Sequence, residues 1–350
     1  MDHRPIICRR REYQKRATRF AAAALTVGAL ASCSSHPADT PPPTISPGRA
    51  AVSPAVTGAP DGVMRALPGP GTGATYDAST SSLVVLGTDG AKRPVVTVPG
   101  TTPVVLPAAA TGVTGDGAGT AFLATRGGYL RFDIGKRTVQ QVSVDGQANT
   151  DFTAIARRAD GKLALGTADG AVLIVDGTAV QSRLKAFARV DGLAAQGNTV
   201  VVLDRGQTSV TEVNAAGTDV AQALRAGEGA TNLAADSAGR VLVADTRGDG
   251  LLVFGTTPLM LRQQAPSRGA PYGVVGSSKL AWVSETAVNS VVGYDLSTGI
   301  PVEKVRYRTV QQPDVLAFDD RTGTLFVVSG SGAGVQVIAN AAAGPGPGGH

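Results

Sequence analysis

"LAWVSETAVNSVVGYDLSTG", residues 280–299, decides the fold, because its pattern recurs along the chain. The stretch predicts a buried strand, a small polar break, a second strand and a glycine turn. Its first strand is repeated at seven places, including LVVLGT from Leu83, VLVADT from Val241 and LFVVSG from Leu325. Each copy follows an apolar strand that ends in a polar or glycine turn. The chain is therefore built from one repeated multi-strand unit.

The spacing of the units identifies the architecture. Their first core positions run from Tyr76 to Leu316 in six steps, which gives a mean period of 40 residues. A third strand and usually a fourth follow each copy, and four short strands per unit of about 40 residues are typical of a β-propeller blade. The β-branched, strand-length apolar runs and the 45 glycines exclude helical solenoids of similar period. We therefore expect an all-β fold, a seven-bladed β-propeller, over residues 61–340.

The two ends of the predicted propeller complement each other. The seventh unit has three strands and then enters a Gly-Pro tail, residues 341–350, which we expect to be unstructured. Residues 62–67, GVMRAL, precede the first unit and have no blade of their own. We expect this N-terminal strand to close the last blade, because an unpaired sheet edge would otherwise be exposed.

Residues 1–32 have the pattern of an export signal, with a basic start and an apolar run, FAAAALTVGAL, from Phe20. That run is too short to span a bilayer, which takes about 20 residues. The sequence leaves open whether export follows the general secretory or the twin-arginine route.

LASC, residues 30–33, resembles the lipobox of bacterial lipoproteins. The resemblance implies that Cys33 is the lipid-modified first residue of the mature chain, which would be anchored at the outer face of the cytoplasmic membrane in the cell envelope. The alternative is an ordinary secretory signal that contains this cysteine by chance.

Charge and composition narrow the possible partners. The net charge is +5, but seven of the 32 basic and two of the 27 acidic residues precede Cys33, which leaves 25 of each afterwards. A neutral mature chain has no general attraction for nucleic acid, so we expect none as a partner. Residues 33–60 comprise the cysteine and a stretch rich in Pro, Ser and Thr, which predicts an extended spacer between the membrane and the propeller.

The last two units also resemble a known repeat. The segment from Ala270, "APYGVV", through "DLSTG" to "GVQVI" is similar to the YVTN and NHL-like propeller repeats, with Pro271 and Pro313 placed before the first strand. Together with the lipobox and the phrase "DFTAIARRADGKLALGTADGAV", the whole chain resembles the LppL-type lipoproteins of mycobacteria. This resemblance implies a surface-anchored, seven-bladed propeller without an established activity.

Ligands of propellers usually lie at one mouth of the central channel, lined by the loops that enter the innermost strands and by the loops between strands two and three. Polar residues on these loops are the candidate binding residues. They are Arg126, Asp151, Asp191, Arg205, Asn232, Asp245, Arg247, Glu285 and Asp314, and Asp169, Asp204 and Asn289 occupy equivalent positions. The alternative interpretation is that Asp, Asn and Gly stand there because turns require them.

The candidate residues are compatible with two functions, a binding module and a metal-assisted enzyme. The three histidines, His3, His36 and His350, all lie outside the predicted propeller, so no catalytic residue and no histidine metal ligand is proposed in it. We therefore favour a binding or scaffolding module for a protein or cell-envelope component. The alternative is a metal-assisted hydrolase or lactonase that uses carboxylates at the channel mouth. No cofactor is expected under the first reading, whereas Ca²⁺ would suit the second, because hard cations prefer oxygen ligands.

Overall fold

The computed structural model describes residues 43–345 and shows seven antiparallel sheets of four strands each, in chain order around a ring. This arrangement confirms the seven-bladed β-propeller. The export signal, Cys33 and the three histidines lie outside the described residues.

The strands of blades 1–3 follow each other without interruption along the chain. Blade 1 contains β2 (Gly71–Asp77), β3 (Ser82–Thr88), β4 (Pro94–Thr97) and β5 (Val104–Val105). Blade 2 contains β6 (Ala110–Gly115), β7 (Thr120–Thr125), β8 (Gly128–Asp133) and β9 (Thr138–Ser143). Blade 3 contains β10 (Phe152–Arg157), β11 (Leu163–Thr167), β12 (Ala171–Asp176) and β13 (Ala179–Lys185).

Blades 4–6 repeat the same order. Blade 4 contains β14 (Gly192–Gln196), β15 (Thr199–Asp204), β16 (Ser209–Val213) and β17 (Val220–Arg225). Blade 5 contains β18 (Ala230–Ala235), β19 (Arg240–Asp245), β20 (Gly250–Gly255) and β21 (Met260–Pro266). Blade 6 contains β22 (Pro271–Gly276), β23 (Ala281–Glu285), β24 (Ser290–Asp295) and β25 (Val302–Arg308).

Blade 7 is assembled from both ends of the propeller. Its first three strands are β26 (Pro313–Asp319), β27 (Thr324–Ser329) and β28 (Val335–Ile338), and its outermost strand is β1 (Val63–Arg65). β1 pairs antiparallel with β28, with Met64 opposite Gln336. The predicted closure by the N-terminal strand is therefore confirmed.

The core consists of apolar layers between neighbouring blades, because the second and third strands of each blade are buried on both faces. Between blades 6 and 7, Trp282 packs with Leu325 and Val327. Trp282 is fully buried and its ring stacks on Phe318 at a centroid distance of 6.0 Å. Leu83 of blade 1 shares a layer with Phe326 of blade 7, so the closing junction is packed in the same way.

The C-terminal end of the propeller differs from the unstructured tail predicted from residue 341. Ala341–Ala343 form one turn of 3-10 helix, and Ala341 is fully buried against the layer that contains Trp282. The hydroxyl of Tyr307 donates a hydrogen bond of 2.7 Å to the carbonyl oxygen of Ala341. The small apolar side chains of Ala341–Ala343 fit beside the last blade. The Gly-Pro composition of the tail gives no sign of this packing.

No helix within residues 43–345 has the length and apolar character needed to cross a membrane.

Candidate binding face

One face of the ring carries the loops between the second and third strands of each blade and the connections that enter each first strand. We call it the upper face. The antiparallel order of the strands places all nine predicted binding residues on or next to this face. Their contacts divide them into buried structural groups, an exposed ion pair and side chains that hold another part of the chain.

Two buried carboxylates at the ends of second strands fix the connections between blades. Asp245, at the end of β19, is 3% exposed and accepts backbone N–H bonds from Glu228 (3.0 Å), Gly229 (2.7 Å) and Gly248 (3.1 Å). Asp204, at the end of β15, likewise accepts N–H bonds from Ala188 (2.9 Å), from Arg189 (3.1 Å) and from its own loop. Amides of the loops thus engage both carboxylates, as the turn interpretation describes.

Glu285 occupies the equivalent position in blade 6 and is fully buried. Its carboxylate accepts hydrogen bonds from the hydroxyls of Ser267 (3.0 Å) and Ser290 (2.7 Å) and forms an ion pair with Arg306. Hydrogen bonds from the Arg306 guanidinium to Glu303 and then to Glu285 raise the pKa of Arg306 further above its usual range. The buried charge is thus paired and fully hydrogen-bonded, as burial requires.

Asp191 and Asn232 connect neighbouring segments on the same face. Asp191 accepts hydrogen bonds from the backbone N–H of Arg205 and from Nε of Arg189, both at 2.9 Å. The side-chain amide of Asn232, in blade 5, donates to the carbonyl oxygen of Tyr272, in blade 6, at 3.1 Å. The contacts of Asp191 and Asn232, like those of Asp245 and Glu285, agree with the alternative interpretation that polar residues stand at these positions to hold turns and neighbouring segments together.

Arg126 and Asp151 form an exposed pair between blades 2 and 3. Nη1 of Arg126 lies 3.1 Å from Oδ1 of Asp151, and the two side chains are 61% and 59% exposed. Such a pair contributes little to stability, and its charges remain accessible to a partner. Nearby in blade 3, the carboxylate of Asp169 forms ion pairs with Arg183 (3.3 Å) and Lys185 (3.6 Å). A hydrogen bond from the hydroxyl of Thr167, together with these two cations, lowers the pKa of Asp169.

Asp314 differs from the other carboxylates because burial raises its pKa, an effect that a hydrogen bond from Gln312 partly offsets. Nε2 of Gln312 donates to Oδ1 of Asp314 at 2.9 Å. A partly buried carboxyl with one side-chain donor and a raised pKa is a group that could accept or release a proton.

Residues 45–54 lie along the upper face from blade 4 to blade 7, and we call them the strap. The strap begins with a hydrogen bond from the N–H of Ile45 to the carbonyl oxygen of Gly206 (2.7 Å). Arg205 donates to the carbonyl oxygen of Gly48, and Arg247 donates to that of Ser46 at 2.8 Å. Two of the predicted binding residues therefore bind the chain's own N-terminal segment.

Gly48 allows the close approach of the strap to blade 5. It is buried, and a Cβ at this position would lie 2.6 Å from the carbonyl oxygen of Gly229. Any larger residue would push the strap away from the propeller.

The second half of the strap is held by blades 6 and 7. The side-chain amide of Gln312 accepts from the N–H of Ser53 (3.0 Å) and donates to the carbonyl oxygen of Ala51 (2.9 Å). The hydroxyl of Ser53, which is 5% exposed, donates to the carbonyl oxygen of Thr286, and Asn289 donates to that of Pro54. This placement differs from the spacer predicted for residues 33–60, because from residue 45 onwards the segment is attached to the propeller.

Neither the strap nor its main holding residue, Gln312, was among the predicted site residues. The only sequence signal was indirect, since a polar pair, Gln311 and Gln312, precedes the last blade. A second feature that sequence reasoning missed is a cleft of about 350 Å³ between blades 7 and 1, lined among others by Arg65, Tyr76 and Arg321.

Within residues 43–345, no three His, Cys, Asp or Glu side chains come close enough together to hold a metal ion. Asp151, Asn232 and Asp314 belong to blades 3, 5 and 7 and contact different partners. The Ca²⁺ site therefore stays a prediction from the sequence.

The chain matches no protein-family model, and no curated protein matches it in sequence. Solved structures are nevertheless similar in fold. A chain in "Crystal Structure of Mitotic Checkpoint Complex" matches with a TM-score of 0.65 and 11% identity, over 84% of this chain and 95% of that one. A chain of Kuenenia stuttgartiensis hydrazine synthase matches with a TM-score of 0.62 and 14% identity, over 79% and 97%. A streptogramin B lyase matches with a TM-score of 0.58 and 10% identity, over 81% and 98%.

Identities this low show the propeller fold alone. The similarity to the lyase therefore transfers no activity. The resemblance to the LppL-type lipoproteins and to the YVTN repeat stays a prediction.

Proposed function

We propose that this protein is an extracytoplasmic lipoprotein, anchored in the cell envelope by a lipid on Cys33, whose propeller binds or scaffolds a protein or another envelope component. The observation that carries the binding part is the strap. It is an extended segment of polypeptide, held on the upper face through its main chain by side chains of four blades.

The way the strap is held supports recognition of extended polypeptide. Arg205, Arg247 and Asn289 each donate to a main-chain carbonyl of the strap, and Gln312 pairs with both a carbonyl and an N–H. These contacts do not depend on the strap's side chains. Hydrogen bonds to the main chain also supply affinity where recognition domains capture extended peptides at a sheet edge, although in this protein side chains provide them.

Within residues 43–345, the strap contacts the upper face of blades 4–7 and leaves that of blades 2 and 3 accessible. The exposed pair of Arg126 and Asp151 lies there. A protein of similar fold occurs in the mitotic checkpoint complex, which is an assembly of proteins. This supports, by analogy of fold, a role in protein association.

The anchor is tested by mass spectrometry and fractionation of cells that express the full-length chain. We expect the wild type to carry a diacylglyceryl mass at Cys33 and to sediment with membranes, and the Cys33→Ala variant to lack the lipid. A wild-type protein with an unmodified Cys33 would contradict the anchoring part of the proposal.

The binding part is tested by placing a photoreactive amino acid at position 126 on the upper face, with position 157 on the opposite face as the matched control. We expect one discrete cross-linked species from position 126 in intact envelopes, and we expect Asp151→Arg to remove it. Equal cross-linking from both positions, or none from either, would contradict a binding role of the upper face.

A further inference from the structure

The strap, ISPGRAAVSP, buries only two of its ten residues, Gly48 and Ser53. The others are exposed or half-buried, and Val52 is 92% exposed. A segment with so few buried apolar contacts belongs to the parts of a protein that open locally at low cost. The strap is therefore held by its main chain and by two positions, and it adds little to the core.

The first of these positions selects glycine. A Cβ at Gly48 would lie 2.6 Å from the carbonyl oxygen of Gly229 and 3.0 Å from Cγ2 of Thr231. The nearer atom is backbone, so it cannot turn aside as a flexible side chain would. Arg205 also donates a hydrogen bond to the carbonyl oxygen of Gly48. The upper face thus requires close approach at this position and fixes the main chain there.

The second position, five residues later, selects serine. The hydroxyl of Ser53 donates to the carbonyl oxygen of Thr286 at 2.6 Å, and the N–H of Ser53 donates to Oε1 of Gln312 at 3.0 Å. Ser53 is 5% exposed. A residue without a hydroxyl would leave the carbonyl of Thr286 without this donor, which is costly at a buried site.

The residues that hold this end of the strap are themselves fixed by contacts within the propeller. Thr286 is fully buried, and its hydroxyl donates to the carbonyl oxygen of Ala270 at 3.0 Å. The side-chain amide of Gln312 donates to Asp314 at 2.9 Å. These contacts do not involve the strap, so the site is preorganised and should keep its shape when the strap leaves.

We propose that the upper face of blades 4–7 binds an extended segment of a partner protein that carries a glycine and, five residues later, a serine. The strap fills this site until the partner's segment replaces it. This inference rests on the proposed binding function, to which it adds the class of segment and the way in which access is regulated. Main-chain contacts provide affinity, and the two buried positions provide selectivity.

Competition with the strap sets the condition for exchange. A segment on a short link has an effective concentration on the order of 1 mM at its site, so a free peptide at lower concentration displaces it poorly. A partner that also contacts blades 2 and 3, where Arg126 and Asp151 are exposed, would hold its own segment near the site in the same way. The strap thus keeps single peptides out and admits a partner that makes both contacts.

Binding of a fluorescent peptide tests the site. The probe is the peptide TISPGRAAVSPA, residues 44–55, and its binding to the full-length chain in detergent is followed by fluorescence polarisation. Gly48→Val in the chain frees the site by detaching the strap. We expect this variant to bind one peptide, at least about tenfold more tightly than the wild type does.

Peptide variants test the selectivity. With the Gly48→Val chain, we expect Gly48→Val or Ser53→Ala in the peptide to weaken binding at least about tenfold. Val52→Ala in the peptide is the matched control, because this side chain is 92% exposed, and it should bind as the unchanged peptide does. Addition of Gln312→Ala to the Gly48→Val chain should weaken binding of the unchanged peptide at least about tenfold, which locates the peptide on the strap's site.

Trypsin reports release of the strap independently, because Arg49 lies within the strap and is exposed. We expect cleavage after Arg49 to be at least about tenfold faster in the Gly48→Val chain than in the Val52→Ala chain, whose strap stays in place. Circular dichroism checks that the propeller of each variant is folded.

A Gly48→Val chain that trypsin shows to have released its strap, but that binds no peptide, would overturn the inference. Equal binding of the peptide variants, or equal cleavage after Arg49 in the two chains, would overturn the selectivity. A wild-type chain that sediments as a dimer with exchanged straps would assign the site to a second copy and overturn the separate partner. If the cross-link from position 126 forms while no peptide binds, only this inference fails, whereas loss of both results would also remove the proposed binding function.

Discussion

Replacement of Asp245 by Ala should strongly destabilise the propeller, because this carboxylate holds three backbone amides at the junction of blades 4 and 5. Asp245 is 3% exposed and accepts N–H bonds of 2.7–3.1 Å from Glu228, Gly229 and Gly248. Hydrogen bonds to a charged group contribute roughly 1.5–3 kcal/mol each, and a buried donor that loses its partner costs about 1–3 kcal/mol. Because Glu228 is exposed, water can replace its bond, so Gly229 and Gly248 dominate the loss. We expect the free energy of unfolding to fall by about 3–5 kcal/mol.

The matched control is Asp151→Ala, at another carboxylate that the sequence placed among the binding residues. Its pair with Arg126 is exposed on both sides, so we expect its loss to cost about 0–1 kcal/mol. Urea unfolding of both variants is followed by far-UV circular dichroism and by the fluorescence of Trp282, the only tryptophan, which is fully buried. A loss below about 1 kcal/mol in Asp245→Ala, or equal losses in the two variants, would refute the structural role of Asp245.

The remaining predictions concern the core, the closing strand, a titrating carboxyl and the metal hypothesis. Trp282→Ala should lower the free energy of unfolding by about 3–5 kcal/mol, measured by urea unfolding, because the ring is fully buried against Phe318. Deletion of residues 61–68 removes β1 and exposes the edge of β28, so it should lower the melting temperature and cause association on gel filtration, whereas deletion of the eight residues 34–41 should do neither. Burial raises the pKa of Asp314, so the folded state holds its proton more tightly than the unfolded state and loses stability as pH rises above the ordinary carboxyl value. Asp314→Asn should therefore raise the urea midpoint at about pH 7 and leave it nearly unchanged at about pH 3, where both states are protonated. Calorimetric titration of Ca²⁺ into the chelator-treated protein tests the hydrolase alternative, which requires stoichiometric binding that Asp151→Ala weakens.

The fold could be predicted because each repeat carries its own local signal. Buried strands such as β19 and β27 are continuous runs of Val, Leu and Ala or Phe, bounded by turns that contain Asp or Gly, and this pattern fixes strand positions without knowledge of distant contacts. The closing strand β1 was predictable by counting, since the last unit lacked a fourth strand.

The strap could not be predicted, because nothing local distinguishes it from a spacer. Its Pro, Ala and Ser residues bury little apolar surface, which is the usual signature of disorder. Its attachment depends on Arg205, Arg247 and Gln312, which lie 157 to 261 residues away from the strap residues they bind. Such main-chain contacts leave no trace in the side-chain composition of the segment that is bound.

The carboxylates of the upper face show why residue type alone could not separate binding residues from structural ones. Asp245 and Asp151 both stand at the predicted mouth, but the first is surrounded by three amides and the second meets only an exposed guanidinium. The difference arises from the connections between blades, because the loop at Gly229 folds over the end of β19 and presents its N–H groups to Asp245. An Asp that ends a second strand can be satisfied in this way within the fold. Asp151, which precedes the first strand of blade 3, meets only Arg126 and keeps its charge at the surface, whereas Asp191 and Asp314 at similar positions are largely buried and hydrogen-bonded. A partner that binds this face through charged groups should therefore contact blades 2 and 3, where the pair of Arg126 and Asp151 is exposed and the strap does not lie. The buried carboxylates of blades 4–6 are not accessible to it in the same way.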